Sequence, residues 1–325
     1  MRLTTRIITA SVLALTAILS SCNKSEETAP QGPQDERYNI DVTLGGAAIE
    51  VETKTTGEAA TISANEAKVN NLQVLVFRGD FLDAYGTAAA NSLTVSCTAG
   101  TRTIYAIVNG PNLSSVTSLN SLKAMTVDLS ANSADSFVMV GSTSTTLPGT
   151  KSVNIEVSRL VSRVVIKQIT RNFTAPSLQG LTFTVDKIYL VNAAGDINYA
   201  KTAGTTKWYN LQEDKNEVPS MLKDTPAASI ANNASHSTYH YFYAMPNPAT
   251  SKTTRLVIEA TLGSNKYYYP VDLPALEGNK SYELAGVTIK RSGSDSPDTP
   301  VSSDDISFSL TVKGWVTSTI NETVI

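Results

Sequence analysis

The sequence predicts an all-β protein built as two mostly antiparallel β domains. Three observations predict it. Segment after segment alternates apolar and polar residues with a period of two, the signature of half-buried strands. Ser, Thr, Ala, Val and Asn dominate, with 13 Tyr, 41% apolar and only 17% charged residues, a balance that suits pleated surfaces better than helices. Pro, Gly, Asn and Asp fall between the alternating segments, where turns are needed. At 325 residues one or two domains are expected. A net charge of −3 offers no basic face, so no nucleic-acid partner is expected.

The chain opens with a positive region at Arg2 and Arg6 and an apolar run, Ile7 to Leu19, of signal-peptide length. Leu19-Ser20-Ser21-Cys22 then reads as a lipobox: small residues before a cysteine whose freed amine and thiol take acyl chains. Residues 1–21 are expected to be a lipoprotein signal peptide and Cys22 the lipidation site, holding the precursor at the outer membrane more firmly than one acyl chain would. Residues 22–37 are polar, with two prolines and four acidic residues, and read as a tether.

Tyr38, Ile40, Val42 and Leu44 share one face of the next strand, and the polar run Glu52 to Ala67 follows as a leash with Lys54 near its start. Residues 38–54 are therefore read as a plug strand and leash, and 55–158 as the first β domain. Lys68 to Phe77 and Phe81 to Tyr85 form a hairpin about Arg78-Gly79-Asp80; the triplet is read as turn chemistry and not as an integrin motif. Leu93 to Val95, Thr103 to Val108, Phe137 to Val140 and Ser152 to Val157 are further strands. Leu113, Val116, Leu119 and Leu122 recur every three residues, so a short helix is expected over Leu113 to Met125. Cys97 reads as a small buried strand residue.

In this order the segments resemble the fimbrillin family, the type V pilins of Gram-negative anaerobes. The residues that carry the resemblance are the lipobox at Cys22, the strand Ile40 to Leu44 with a basic residue soon after, KVNNLQVLVFRG, SCTAGTRTIYAIVN, FVMVG, Ser158 to Val165, Asn279 to Leu284, and Val312-Lys313-Gly314-Trp315. The family implies two transthyretin-like β-sandwich domains. It also implies a structural subunit that is no enzyme and carries no cofactor, located on the outer membrane and in the surface fimbrium. A trypsin-like surface protease would cut between Lys54 and Thr55, although the family usually has arginine there. The host or bacterial surface ligand is not encoded.

Residues 159–303 are read as the second β domain, with strands at Arg159 to Ile169, Leu181 to Asn192, Tyr239 to Tyr243, Thr254 to Leu262, Tyr267 to Val271 and Lys280 to Lys290. His236 and His240, the only histidines, would lie about 13 Å apart along one strand, so no metal site is expected. Asp295, Asp298, Asp304 and Asp305 lack calcium-loop spacing. No catalytic motif is found.

After the loop Ser292 to Ser303, Ile306, Phe308, Leu310 and Val312 alternate, Trp315 follows Gly314, and Val316, Ile320 and Val324 mark a second strand. With the family resemblance, 304–325 is expected to be a donor-strand arm that completes a neighbouring pilin subunit, head to tail. Two other readings stand beside the stalk pilin. One is a minor or tip fimbrial adhesin subunit. The other is a surface glycan-binding lipoprotein using Trp208, Tyr209 and Tyr267 to Tyr269.

Overall fold

The computed structural model describes residues 36–46, 64–202, 204–210, 220–250, 252–315 and 323–324. The fold is all-β, as expected. The first half contains β1 (Arg37–Gly46), β2 (Leu72–Arg78), β3 (Phe81–Ala88), β4 (Ser92–Thr98), β5 (Gly100–Val108), helix α1 (Leu119–Ala124), β6 (Thr126–Asp128), β7 (Met139–Leu147) and β8 (Ser152–Arg159). Seven of these strands hydrogen-bond in the order β3-β2-β5-β7-β8-β1-β4. β7 and β8 pair only through Met139 with Arg159 and Val140 with Ser158, so the sheet opens there and its two parts close over a shared core. β2 sits in the middle of its layer and is buried from Leu72 to Phe77, which is why its sequence is nearly continuous in apolar residues.

The helix is shorter than expected. Ser118 caps it by accepting the Ser121 N–H, and the Asp80 carboxylate accepts the Asn120 N–H at 2.8 Å, fixing its start six residues after Leu113. Leu113 and Val116 are buried all the same, in the irregular stretch before the cap. Their spacing of three reports burial, not helix.

The second half holds β9 (Ser162–Ile166), β10 (Ile169–Arg171), the single turn α2 (Pro176–Gln179), β11 (Phe183–Val191), β12 (Ala193–Ala194), β13 (Asp196–Asn198), β14 (Trp208–Tyr209), β15 (Lys223–Asp224) and β16 (Ala228–Ser229). It continues with β17 (Ser235–His236), β18 (His240–Ala244), β19 (Arg255–Leu262), β20 (Asn265–Asp272), β21 (Lys280–Ile289), β22 (Ile306–Gly314) and β23 (Thr323–Val324). One sheet runs β17-β10-β21-β22-β23, with β9 between β21 and β18; the other runs β15-β11-β19-β20, with β16 also on β11. Most pairings are antiparallel. Three among the described strands are parallel: β1 with β8, β9 with β21 and β10 with β21.

The halves are stitched by main chain as well as by core. β6 of the first pairs with β13 of the second, and Lys201 Nζ donates to Ser158 Oγ at 2.7 Å. Below them lies a buried polar node. Where the chain is described again after β1, Ala64 to Glu66 make one helical turn that buries Glu66 to 1% exposure. One Glu66 oxygen accepts Arg163 Nη1 at 2.7 Å and Trp315 Nε1 at 2.8 Å; the other accepts the Tyr243 hydroxyl at 2.7 Å. Its main-chain carbonyl accepts Arg159 Nε at 3.1 Å. The Trp315 ring stacks on Tyr243, meets Phe137 edge-on and lies 4.6 Å below the Arg159 guanidinium. A buried carboxylate with three charge-assisted or neutral donors is satisfied; the same donors without it are not.

Replacing Glu66 with Ala leaves Arg163 short of its counter-charge and orphans the indole and phenol donors. Unfolding in urea should show a loss of about 3–5 kcal/mol. A loss below about 1 kcal/mol would mean that the node is not holding the halves together.

Candidate functional site

β1 is the element whose surroundings differ from those of an ordinary strand. It lies between β4, to which it runs antiparallel over Arg37–Thr43, and β8, to which it runs parallel over Asp41–Gly46. Ile40 and Val42 are fully buried and Leu44 is 5% exposed, while Asn39, Asp41 and Thr43 face solvent; Tyr38 is half-buried. The alternation read from the sequence is therefore the alternation of burial. Across the strand, Val42 faces Leu93 and Val153, and Leu44 faces Ile155. The solvent side adds only surface bonds, such as Thr94 Oγ1 to Asp41 Oδ1 at 2.5 Å and the Arg37 guanidinium to the Ser96 carbonyl. Without β1, two strands would present unpaired backbone edges beside an apolar slot.

Two glycines close the strand, and the sequence reading gave them no role. A Cβ on Gly45 would stand 2.7 Å from a Glu156 carboxylate oxygen, and one on Gly46 would stand 2.6 Å from the Val157 carbonyl. Gly46 also has φ of 63°, which ends the strand in the left-handed region that glycine enters without strain. The pair lets the end of β1 press against β8 and then turn away. The Cys97 thiol lies beneath the strand, fully buried, its Sγ 4.0 Å from the Tyr38 carbonyl, and burial pushes its pKa up. It reads as a core residue.

Lys54, Thr55 and Cys22 lie outside the described residues, as do Val316 and Ile320. In this single chain the carboxy-terminal segment is not held away from the body. β22 pairs antiparallel with the chain's own β21 and with β23, whose Val324 is opposite Thr311. Ile306 and Leu310 are buried, Val312 is half-buried and Phe308 is 42% exposed. Trp315 is 2% exposed in the Glu66 node. β22 is further clamped by Glu283 of β21, which meets Lys313 Nζ at 2.9 Å and Lys167 Nζ at 2.6 Å.

Other residues singled out from the sequence take structural parts. The Arg78–Asp80 turn is closed by Gly79 at φ of 60°, and Asp80 is occupied in capping α1. Trp208 and Tyr209 pair with β12, whereas Tyr267 to Tyr269 belong to β20, with Tyr269 fully buried. Asp305 accepts the Ser302 N–H and hydroxyl, and Asp304 pairs with Arg291. Among the described residues no group of three or more His, Cys, Asp or Glu is arranged to hold a metal ion. The histidines require a correction. They do not lie on one strand: β17 ends at His236, β18 begins at His240, and the bend between them brings the ring centroids within 5.2 Å.

Comparison with known proteins places these features. Residues 39–218 match the family model described as major fimbrial subunit protein (FimA). A major fimbrium subunit FimA type-2 of Porphyromonas gingivalis is 30% identical over 128 residues, 38% of this chain and 30% of that protein's length. Among solved structures, a candidate cell adhesion protein of Bacteroides eggerthii superposes with a TM-score of 0.67 at 21% identity, covering 86% of this chain and 97% of the other. A fimbrilin of Porphyromonas gingivalis superposes with a TM-score of 0.60 at 14% identity, covering 88% and 99%. At these identities the superpositions speak for the fold.

The Glu283 clamp has a pH signature. Burial raises the Glu283 pKa, but its bonds to Lys167 and Lys313 outweigh burial and hold it below the ordinary glutamate value. A depressed folded-state pKa stabilises above the unfolded value of about 4.3 and is lost as pH falls through the folded one. Glu283→Gln should lower Tm at pH 7 and lose less Tm than the parent chain below about pH 4.3. Parallel pH–Tm curves for the two proteins would refute the clamp.

Proposed function

The chain belongs to the family of major fimbrial subunit proteins (FimA), and from that premise we propose that it is a stalk-type pilin polymerised by donor-strand exchange after lipoprotein export and proteolytic processing. Its setting is the cell-surface fimbrium, where it supports adhesion, and its role is structural rather than enzymatic. The precursor is carried on the lipid at Cys22. The observation that carries the reading is the position of β1: three buried apolar side chains between two strands that have no other partner on those edges, followed directly by the leash that holds Lys54.

In this reading β1 is a provisional occupant. Cutting between Lys54 and Thr55 separates it from the body, and it leaves the slot between β4 and β8. The arm of a second copy takes its place. β22 repeats the spacing of β1: Tyr38, Ile40, Val42, Leu44 and Gly46 correspond to Ile306, Phe308, Leu310, Val312 and Gly314, and both segments contain apolar-Thr-apolar-x-Gly. Laid in that register, Lys313 replaces Gly45, so the Glu156 and Asn154 side chains swing aside to admit its Cβ and the Glu156 carboxylate stays near its ammonium. To be donated, the segment must leave β21 and draw Trp315 from its node, and Val316, Ile320 and Val324 extend the arm. Burying the apolar side chains and pairing the backbone gives a gross gain on the order of 10–20 kcal/mol. Against it stand an association cost of about 4–15 kcal/mol and the contacts that β1 and β22 give up on leaving their present places. Donor and acceptor surfaces differ, and a head-to-tail contact of this kind extends into a filament.

Two experiments test the two halves of the proposal. Lys54→Ala should yield lipidated, surface-exposed precursor and no fibres by electron microscopy; fibres of normal length would place the cut elsewhere. Thr43 and Ser92 face each other across β1 and β4 on the solvent side. The oxidised double variant Thr43→Cys/Ser92→Cys should be cleaved yet stay monomeric, and reduction should restore polymerisation. Polymerisation of the oxidised protein to the parent extent would show that β1 need not leave.

A further inference from the structure

We propose that His236 and His240 form a binding site for a divalent transition-metal ion, copper(II) in preference to zinc(II). The inference is independent of strand exchange. It starts from an anomaly of satisfaction: two buried ring nitrogens in one place have no hydrogen-bond partner among the described residues, Nε2 of His236 and Nε2 of His240. A buried polar atom left unpaired costs about 1–3 kcal/mol, so a pair of them calls for an occupant.

The chemistry around the pair selects that occupant. His240 is 2% exposed, and its Nδ1 lies 2.7 Å from Asp224 Oδ2. A carboxylate there accepts the Nδ1 proton, which leaves the Nε2 lone pair free; imidazoles that ligate metals are oriented this way. His236 Nε2 is likewise buried and has no hydrogen-bond partner among the described residues. Imidazole nitrogens suit copper, nickel or zinc and not calcium or magnesium, which take oxygen ligands.

The spacing also fits. A metal bound at about 2.0–2.1 Å from an imidazole nitrogen lies roughly 3 Å from the ring centre. Centroids 5.2 Å apart then subtend roughly 120° at one shared ion, the angle of a distorted tetrahedral pair. The ring planes differ by 26°, and His236 is half-buried at the end of the edge strand β17. The protein supplies two ligands and water supplies the rest, which makes the site exchangeable, with copper bound more tightly than zinc.

The test is calorimetric titration of the untagged full chain with copper(II) chloride and zinc(II) chloride, with copper EPR as the structural readout. One ion per chain is expected, with nitrogen hyperfine structure from two imidazoles. His240→Gln and His236→Gln should each weaken copper binding at least tenfold and remove that two-nitrogen pattern. Asp224→Asn should weaken it about tenfold, as loss of an orienting carboxylate does. Should His240→Gln fail to fold, His236→Gln, at a half-buried edge position, decides alone. Absence of binding to the parent chain, or affinity unchanged in His236→Gln, overturns the site.

Discussion

The carboxylate of Glu66 is the interaction on which the rest of this structure depends. It is drawn to the centre of the molecule by donors from three segments that are remote in sequence: Arg163 at the start of β9, Tyr243 on β18 and Trp315 beyond β22. None of these groups can be buried alone. Together they satisfy one another and fix where the two halves of the chain meet. The node also marks two boundaries. Glu66 is where the body begins after the stretch that follows β1, and Trp315 is where it ends before the terminal residues. Of the described residues outside those two positions, β1 is held by strand pairing and by the slot, and β23 by strand pairing.

That division gives the slot its physical character. β1 is held by three apolar side chains and two ladders, with no buried ion pair of its own. Any strand of the same spacing satisfies the same edges, and the proposed exchange draws on that. β22 is held differently. Its alternation resembles that of β1, but Lys313 and the neighbouring Trp315 tie it to buried carboxylates. Two strands of like pattern thus sit under different restraints, one apolar and one electrostatic.

Much of this was legible in the sequence. Tyr38 to Leu44 alternates because it has one wet and one dry face, and Leu72 to Phe77 does not because both its faces are dry. Those two patterns located the strands. The partners of each strand were not legible: the parallel pairing of β1 with β8 joins residues more than a hundred positions apart, and no local pattern records it. Glu66 sits among polar residues and reads as solvated, since its burial is decided by Arg163, Tyr243 and Trp315. The histidines were misjudged because their spacing was read along one strand, whereas the chain bends between them. Gly45-Gly46 carried a signal, a glycine pair closing a strand, but its meaning required the Val157 carbonyl to be in view.

The thiol beneath β1 has a consequence of its own. Cys97 is the only cysteine among the described residues, and it is fully buried on β4 beside the strand whose carbonyl it touches. Anything that removes that strand opens a path for small electrophiles to a sulfur they otherwise cannot reach. The molecule therefore carries a native gauge of whether its groove is covered, readable without adding a label.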